Sequence, residues 1–356
     1  MKDRIVFTGG GSAGHVSVNL ALIPHFLREG WEVHYIGSHT GIEKDLIARL
    51  PEVHYHPIST GKLRRYRSME NVKDPFRTLK GIGQAYHLIR RIKPAVIFSK
   101  GGFVSVPVVI AGRLKGVPVV IHESDLTPGL ANRISIPFAN RVCTTFPETL
   151  EQLPAAKSRC VGAIVRPELL KGRIERGYRF SGLEPGLPVL LIMGGSLGAK
   201  KINDAVRGAL TPLLSGFQIV HLTGKGQVDH SLHRYGYVQF EYVNEELPDL
   251  LAMADLVVSR AGSNSIFEFL ALRKPMVLIP LPKGASRGDQ ILNAQSFEKS
   301  GYASVLPEED LTPEALQARV ESVWNERDTY RANMESYHAD SALDQVRELI
   351  MEAAHK

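Results

Sequence analysis

At 356 residues, 44% hydrophobic and 22% charged, the chain is too long for one ordinary core and has the composition of a soluble globular protein of two domains. No apolar run approaches the roughly 20 residues needed to cross a bilayer, and Met1-Lys-Asp-Arg-Ile-Val-Phe-Thr8 enters a strand without the apolar core of a secretion signal. Two cysteines, Cys143 and Cys160, speak for a reducing cytosol and against a disulfide scaffold or cysteine-rich metal site, while a formal charge of +6 suits an anionic partner.

The first half alternates strand and helix patterns. Arg4–Thr8 reads as a buried strand, Gly9–Gly14 as a glycine loop, and Val18–Arg28 as a helix. Strand Glu32–Gly37, helix Ile42–Leu50 and strand Val53–Ile58 follow. From Gly61 to Lys93 there are ten Lys/Arg against two acids, a net +8 in one segment. Within it Phe76, Leu79, Ile82, Tyr86 and Ile89 fall at helical spacing, which predicts a helix over Pro75–Arg91 with those residues facing the core. The loop Lys62–Met69, basic with interleaved Leu63 and Tyr66, is the part that suits an anionic membrane surface. Strand Ala95–Ser99, loop Lys100–Ser105, helix Val106–Lys115, strand Pro118–His122, a long loop to Gly129 and strand Arg141–Thr144 complete the series.

Between Gly162 and Pro188 the alternation lapses into charges and glycines, the mark of a boundary. A second series starts at Val189–Met193. Its most informative stretch is Asp255–Pro282, in which two short apolar runs flank the polar loop Arg260–Ser265 and a helical pattern. Such a strand–loop–helix–strand unit puts a helix N-terminus at the carboxyl edge of a parallel sheet, where anionic or hydroxyl-rich ligands bind. Glu268 there either accepts hydrogen bonds from a vicinal diol or closes a capping box with Ser265. The expected domains are 1–162 and 189–340, with 163–188 as linker and a helix 341–356 available to pack back on the first domain. Strands alternating with helices in both predict doubly wound parallel sheets, an α/β fold.

Three glycine loops follow predicted strands: Gly9–Gly14, Lys100–Ser105 and Gly194–Ala199. The first holds G-x-G-x-x-G, but the end of the second strand, Tyr35-Ile-Gly-Ser-His39, lacks the carboxylate a dinucleotide ribose would need. Loops in both domains suggest two phosphorylated ligands meeting in an interdomain cleft. Without a His-Glu-x-x-His, a P-loop or an Asp-x-Asp, the inventory suits group transfer from a nucleotide diphosphate with backbone dipoles, not a metal, stabilising the leaving group.

Gly9–His15, Gly101-Gly102-Phe103-Val104-Ser105, His122-Glu123, Val161–Arg166, Gly194–Ala199, Arg260…Glu268 and Asp289-Gln290, in order and at compatible spacing, resemble the MurG family of bacterial N-acetylglucosaminyltransferases. The resemblance implies a GT-B architecture: two Rossmann-like domains facing a cleft, UDP-GlcNAc mainly in the second and the undecaprenyl-linked acceptor, lipid I, mainly in the first. It implies that Glu268 holds the uridine ribose, the backbone at Val243 reads uracil, and Ser196 holds the donor phosphates. Asp289 and Gln290 would bind GlcNAc hydroxyls and Arg166 the nucleotide. Ser12, Ala13 and Gly14 would approach the transferred sugar and acceptor, with Gly101 and Gly102 beside the acceptor diphosphate. It further implies a peripheral enzyme on the cytoplasmic face of the membrane, with no cofactor and no nucleic acid.

The sequence departs from the family in two places. Ser12-Ala13-Gly14-His15 stands for Thr-Gly-Gly-His, and Ser124-Asp125 for Gln-Asn after His-Glu. The second turns a sugar-binding amide into an acid. For the inverting attack of the muramoyl 4-hydroxyl the expected general base is His15, then Asp125 and Glu123, with His122 structural. Three rivals stay in view: a UDP-sugar:diacylglycerol transferase with the same donor half, a nicotinamide oxidoreductase resting on Gly9–Gly14, and a non-catalytic membrane-docking protein, which intact Ser196, Glu268 and Gln290 oppose.

Overall fold

The computed structural model describes residues 3–12, 14–61, 70–195, 198–284, 288–337 and 341–355, with the backbone alone for 70–73. The chain forms two compact units, Met1–Ile164 with Asp340–Lys356, and Val165–Ala339.

The first unit contains β1 (Arg4–Thr8), α1 (Gly14–Arg28), β2 (Glu32–Ser38), α2 (Ile42–Ile47), β3 (His54–Ile58), α3 (Glu70–Ile92), β4 (Val96–Ser99), α4 (Ser105–Leu114), β5 (Val119–Glu123), α5 (Leu130–Ser135), β6 (Arg141–Thr144) and β7 (Ser158–Cys160). Its seven strands run parallel in the order β3-β2-β1-β4-β5-β6-β7. The runs Ile5–Phe7 and Val96–Phe98 are buried on both faces, as a sheet covered by helices on each side requires. Strand order reverses between β1 and β4, where Thr8 lies opposite Ser99. The first two glycine loops therefore leave the sheet side by side at a topological switch point.

Helix α3 corrects one expectation. Its inward face is Asp74, Gly81, Ala85, Ile89 and Ile92, whereas Phe76 and Leu79 are 71% and 64% exposed. The helix starts earlier than predicted, and Asp74 rather than Phe76 meets Gly61, so the apolar residues of its early turns point outward. The loop Lys62–Met69 lies outside the described residues.

The second unit contains α6 (Ile174–Ser181), β8 (Val189–Met193), α7 (Lys200–Gly208), α8 (Leu210–Leu213), β9 (Gln218–Leu222), β10 (Tyr237–Phe240), α9 (Leu247–Met253), β11 (Leu256–Ser259), α10 (Ser263–Ala271), β12 (Met276–Leu278), α11 (Asp289–Lys299), β13 (Ala303–Val305), α12 (Pro313–Asn325) and α13 (Arg327–Met334). Its parallel sheet runs β10-β9-β8-β11-β12-β13, with the reversal between β8 and β11. The stretch after Val165, expected as linker, is packed. A Cβ on Gly172 would fall 1.9 Å from the Pro248 carbonyl and one on Gly177 2.6 Å from that of Asp249. Glycines that marked a boundary in the sequence are points of close approach to α9.

The last helix, α14 (Ala342–Ala354), belongs to the first unit. Ala342, Val346, Leu349, Ile350 and Ala353 recur at helical spacing and join Phe7, Val96 and Cys143 in one core cluster. Each fully buried aliphatic side chain there contributes about 1.5–3 kcal/mol.

Candidate active site

In the first unit, the Gly10 N–H donates to the Gly101 carbonyl at 3.3 Å, joining the two glycine loops. Gly102, at φ +80°, lies so close that a Cβ would sit 2.2 Å from the Gly10 carbonyl and 3.2 Å from His15 Nδ1. Only glycine allows that approach. His15 stands in the first turn of α1, one turn before the predicted helix start. Its Nδ1 is 3.1 Å from the Gly10 carbonyl and 3.0 Å from Ser12 Oγ. A carbonyl only accepts, so Nδ1 carries the proton and Nε2 the lone pair of the neutral ring.

Buried side chains hold this loop from beneath. Tyr35 OH donates to the Gly9 carbonyl at 2.7 Å, and Asn19 Nδ2 donates to Tyr35 OH at 3.0 Å and to the Thr8 carbonyl at 3.2 Å. Glu43, at the start of α2, accepts from Gly11 N at 3.2 Å with one carboxylate oxygen and from Ser38 N at 3.0 Å with the other. The glycine loop thus already faces an anion from its own chain.

The loop after β5 is built around Glu123. Its carboxylate accepts from Asp125 N, Gly129 N and Asn132 Nδ2, each at 2.9 Å. Burial, then the neighbouring Asp125, pushes the Glu123 carboxyl up, against Lys100 and these hydrogen bonds. Lys100 Nζ donates to Ser124 Oγ at 2.8 Å. Burial, then Lys100, holds His122 well below the usual imidazole range, and neither ring nitrogen finds a partner among the described residues.

In the second unit, Arg166 grips Glu268 with two hydrogen bonds, Nε to Oε1 at 2.9 Å and Nη2 to Oε2 at 3.2 Å. Burial pulls the guanidinium down, but Glu268 outweighs it and the net shift is upward. The α10 N-cap is Gly262. Ser265 and Glu268 both lie inside the helix, so the capping box is not formed and Glu268 points its carboxylate at Arg166 instead. A carboxylate offers about four lone-pair directions, and Arg166 uses two, leaving two for a vicinal diol. Val243 is buried in the segment after β10, and the adjacent Tyr242 is near enough to act on the Arg166 charge. Asp289 opens α11, and Gln290 Oε1 accepts from Leu281 N at 3.0 Å, which turns the amide NH2 toward donation. Arg260 is structural: Nη1 donates to the Ile279 carbonyl at 3.1 Å and Nη2 pairs with Glu308.

Residues 5–144 match the glycosyltransferase family 28 N-terminal domain and residues 189–350 its C-terminal domain. The chain belongs to glycosyltransferase family 28. A Geobacillus thermodenitrificans protein named UDP-N-acetylglucosamine--N-acetylmuramyl-(pentapeptide) pyrophosphoryl-undecaprenol N-acetylglucosamine transferase is 59% identical over 99% of this chain and 100% of its own length. A Bacillus cereus protein of the same name, numbered 2, is 57% identical over 98% of this chain and 99% of its own. The crystal structure of Acinetobacter baumannii MurG superposes with a TM-score of 0.79 at 25% identity, covering 99% of this chain and all of that one. The two parallel-sheet units are those of a GT-B member of family 28.

Among the residues expected at a family 28 site, the first unit gathers Ser12, Gly14, His15, Gly101 and Gly102, with Asp125 on the loop after β5. The second joins Arg166 to Glu268. Ala13 and Ser196 lie outside the described residues. Sequence reading missed Asn19 of α1, Tyr35 of β2 and Glu43 of α2, which hold the first glycine loop, and the part played by Lys100, which opens the second. The one legible signal was Lys100, a charge placed directly after a buried strand. Among the described residues no cluster of His, Cys, Asp or Glu is arranged to hold a metal ion, and no helix is long and apolar enough to cross a membrane.

Proposed function

We propose that this family 28 chain transfers GlcNAc from UDP-GlcNAc to the muramoyl 4-hydroxyl of undecaprenyl-pyrophosphoryl-MurNAc-pentapeptide, converting lipid I to lipid II with inversion at the anomeric carbon. The observation that carries this reading is the bidentate pair between Arg166 and Glu268 of α10, in a chain 59% identical to a protein with that name. Glu268 accepts the two ribose hydroxyls and Arg166 lies along the nucleotide. The backbone at Val243 reads uracil, Ser196 and its neighbouring N–H groups hold the diphosphate, and Asp289 with Gln290 orients the sugar.

In the first unit, Ser12, Ala13, Gly14, Gly101 and Gly102 present the acceptor. His15 Nε2 takes the proton of the attacking hydroxyl as the new glycosidic bond forms, and the bond to UDP breaks with its electron pair leaving on the diphosphate. Asp125 is the second candidate for that proton. The acceptor is membrane-bound, and the exposed pair Phe76 and Leu79, flanked by exposed Arg77 and Lys80, suits insertion at an anionic surface on the cytoplasmic face.

Titration calorimetry with UDP-GlcNAc, UDP-GalNAc, UDP-glucose and NAD, followed by transfer assays on a lipid I analogue and on diacylglycerol, tests the assignment. UDP-GlcNAc binding tightest and the lipid I analogue alone being glycosylated is the expected result. NAD binding or transfer to diacylglycerol would overturn it.

A further inference from the structure

Lys100 is 1% exposed, at the carboxyl end of the strand beside the first glycine loop. Its backbone N–H donates to the Thr8 carbonyl at 3.0 Å, and its Cβ lies 3.2 Å from where a Cβ on Gly9 would fall. The side chain runs under that loop and ends at Ser124 Oγ, 2.8 Å away. It is too buried to touch a diphosphate. The charges that face it are Glu123 and Asp125, with His122 as the other titratable neighbour. Burial pulls the ammonium's pKa down and outweighs the two carboxylates, which pull it up.

Glu123 and Asp125 share one turn, and Glu123 is already committed to three N–H groups of that turn. Two adjacent carboxylates, one fully buried, need a counter-charge to remain ionised together. Here Ser124 is short enough to leave room for the ammonium and supplies its acceptor.

We propose that Lys100 is a positioning residue for the transfer reaction, forming with Ser124 and Asp125 one matched set in which the buried ammonium balances the Glu123–Asp125 pair and fixes the turn that carries Asp125 to the acceptor edge. This rests on the proposed transfer to a lipid-linked muramoyl hydroxyl. Lys100 keeps the turn in register through Ser124, and the acid at 125 adds to the demand that buried Glu123 already makes on its charge.

The test is a cycle of Lys100→Met, Asp125→Asn and the double variant in the full chain, with UDP titration of each as a check on the second unit. Lys100→Met alone should lower kcat on a lipid I analogue by about 10- to 100-fold with the UDP-GlcNAc KM little changed, and move the acid limb of the pH profile upward. In the Asp125→Asn background the same substitution should cost less than about 3-fold and leave that limb in place. Equal loss in both backgrounds, or an unmoved acid limb, overturns the set. Denaturant midpoints of the same four proteins read the coupling without turnover: Lys100→Met should destabilise more when Asp125 is present than in the Asp125→Asn background, and equal destabilisation in both would overturn the coupling. If the unmodified chain glycosylates no lipid I analogue, the functional reading falls while the unfolding cycle still decides whether the charges are coupled.

Discussion

The two sheet edges share a topology and differ in what they already hold. Each unit places a glycine loop at its strand-order reversal, and each pins that region with a buried asparagine on the following helix. Asn19 donates to the Thr8 carbonyl and Asn203 to that of Thr223. In the first unit the Gly11 N–H is taken by Glu43. In the second, α7 begins with Lys200 and Lys201, which pair with Asp204 and Glu308. One N–H of the first glycine loop is thus already engaged by a carboxylate, whereas the acids at the second edge engage lysine side chains. G-x-G-x-x-G over Gly9–Gly14 favours no dinucleotide because the end of β2 carries no carboxylate for a ribose, and the proposed placement of the donor diphosphate in the second unit rests on the family resemblance and the Arg166–Glu268 pair.

Four measurements press on this contrast. The largest effect is expected at the first edge, where His15→Ala should lower kcat by roughly 10²- to 10⁴-fold with UDP binding intact. A loss of only a few-fold would move the base to Asp125. At the second edge, Glu268→Ala should weaken UDP-GlcNAc by about 10²- to 10³-fold, the value of two hydrogen bonds to a charged acceptor. The same variant should no longer distinguish UDP from its 2′-deoxy analogue, and discrimination that survives would place the ribose elsewhere.

A smaller change is expected away from both edges. Phe76→Glu with Leu79→Glu should reduce sedimentation with phosphatidylglycerol vesicles by about 10- to 100-fold, about 1.4–2.8 kcal/mol, since two partly inserted apolar side chains are lost. Turnover on a water-soluble acceptor should be unchanged. Unaltered vesicle binding would leave the outward face of α3 without that role.

The least effect on turnover and the clearest on stability comes from His221 in the second unit. Its ring is buried, 2.9 Å from Tyr237 OH and 3.0 Å from Asn203 Oδ1. Burial, then Arg207, holds its pKa down at about 3. The unfolded chain takes up a proton that the folded ring refuses, so this contribution is complete above about pH 6.5 and is lost as pH falls toward 3. Denaturant midpoints should decline between pH 6.5 and 4.5 by an amount on the order of 2 kcal/mol, and His221→Gln should flatten that slope. An equal slope in the variant would assign the acid sensitivity to other groups.

Much of the fold was legible because its signals are local. Runs such as Ile5–Phe7 and Leu190–Ile192 are apolar at every position, which only a strand covered on both faces explains. Where sequence reading failed, the deciding contact was distant. Phe76 and Leu79 have the right period for a core stripe, but α3 turns Asp74, whose backbone packs against Gly61, inward and leaves the two apolar residues exposed. Ser265-x-x-Glu268 fits a capping box, yet the helix starts two residues earlier at Ser263, and Arg166, 102 positions away, claims the carboxylate.

By itself the amino-acid order determined the alternation of strand and helix, the three glycine turns and the residues that match family 28, because periodicity and backbone freedom act over a few neighbours. Tertiary structure decided which glycine loop already has an anion, which glutamate faces an arginine and which lysine is buried beneath a carboxylate pair. Those outcomes depend on side chains converging from separate strands at a sheet edge, where the energy of a charge is set by what surrounds it rather than by what precedes it in the chain.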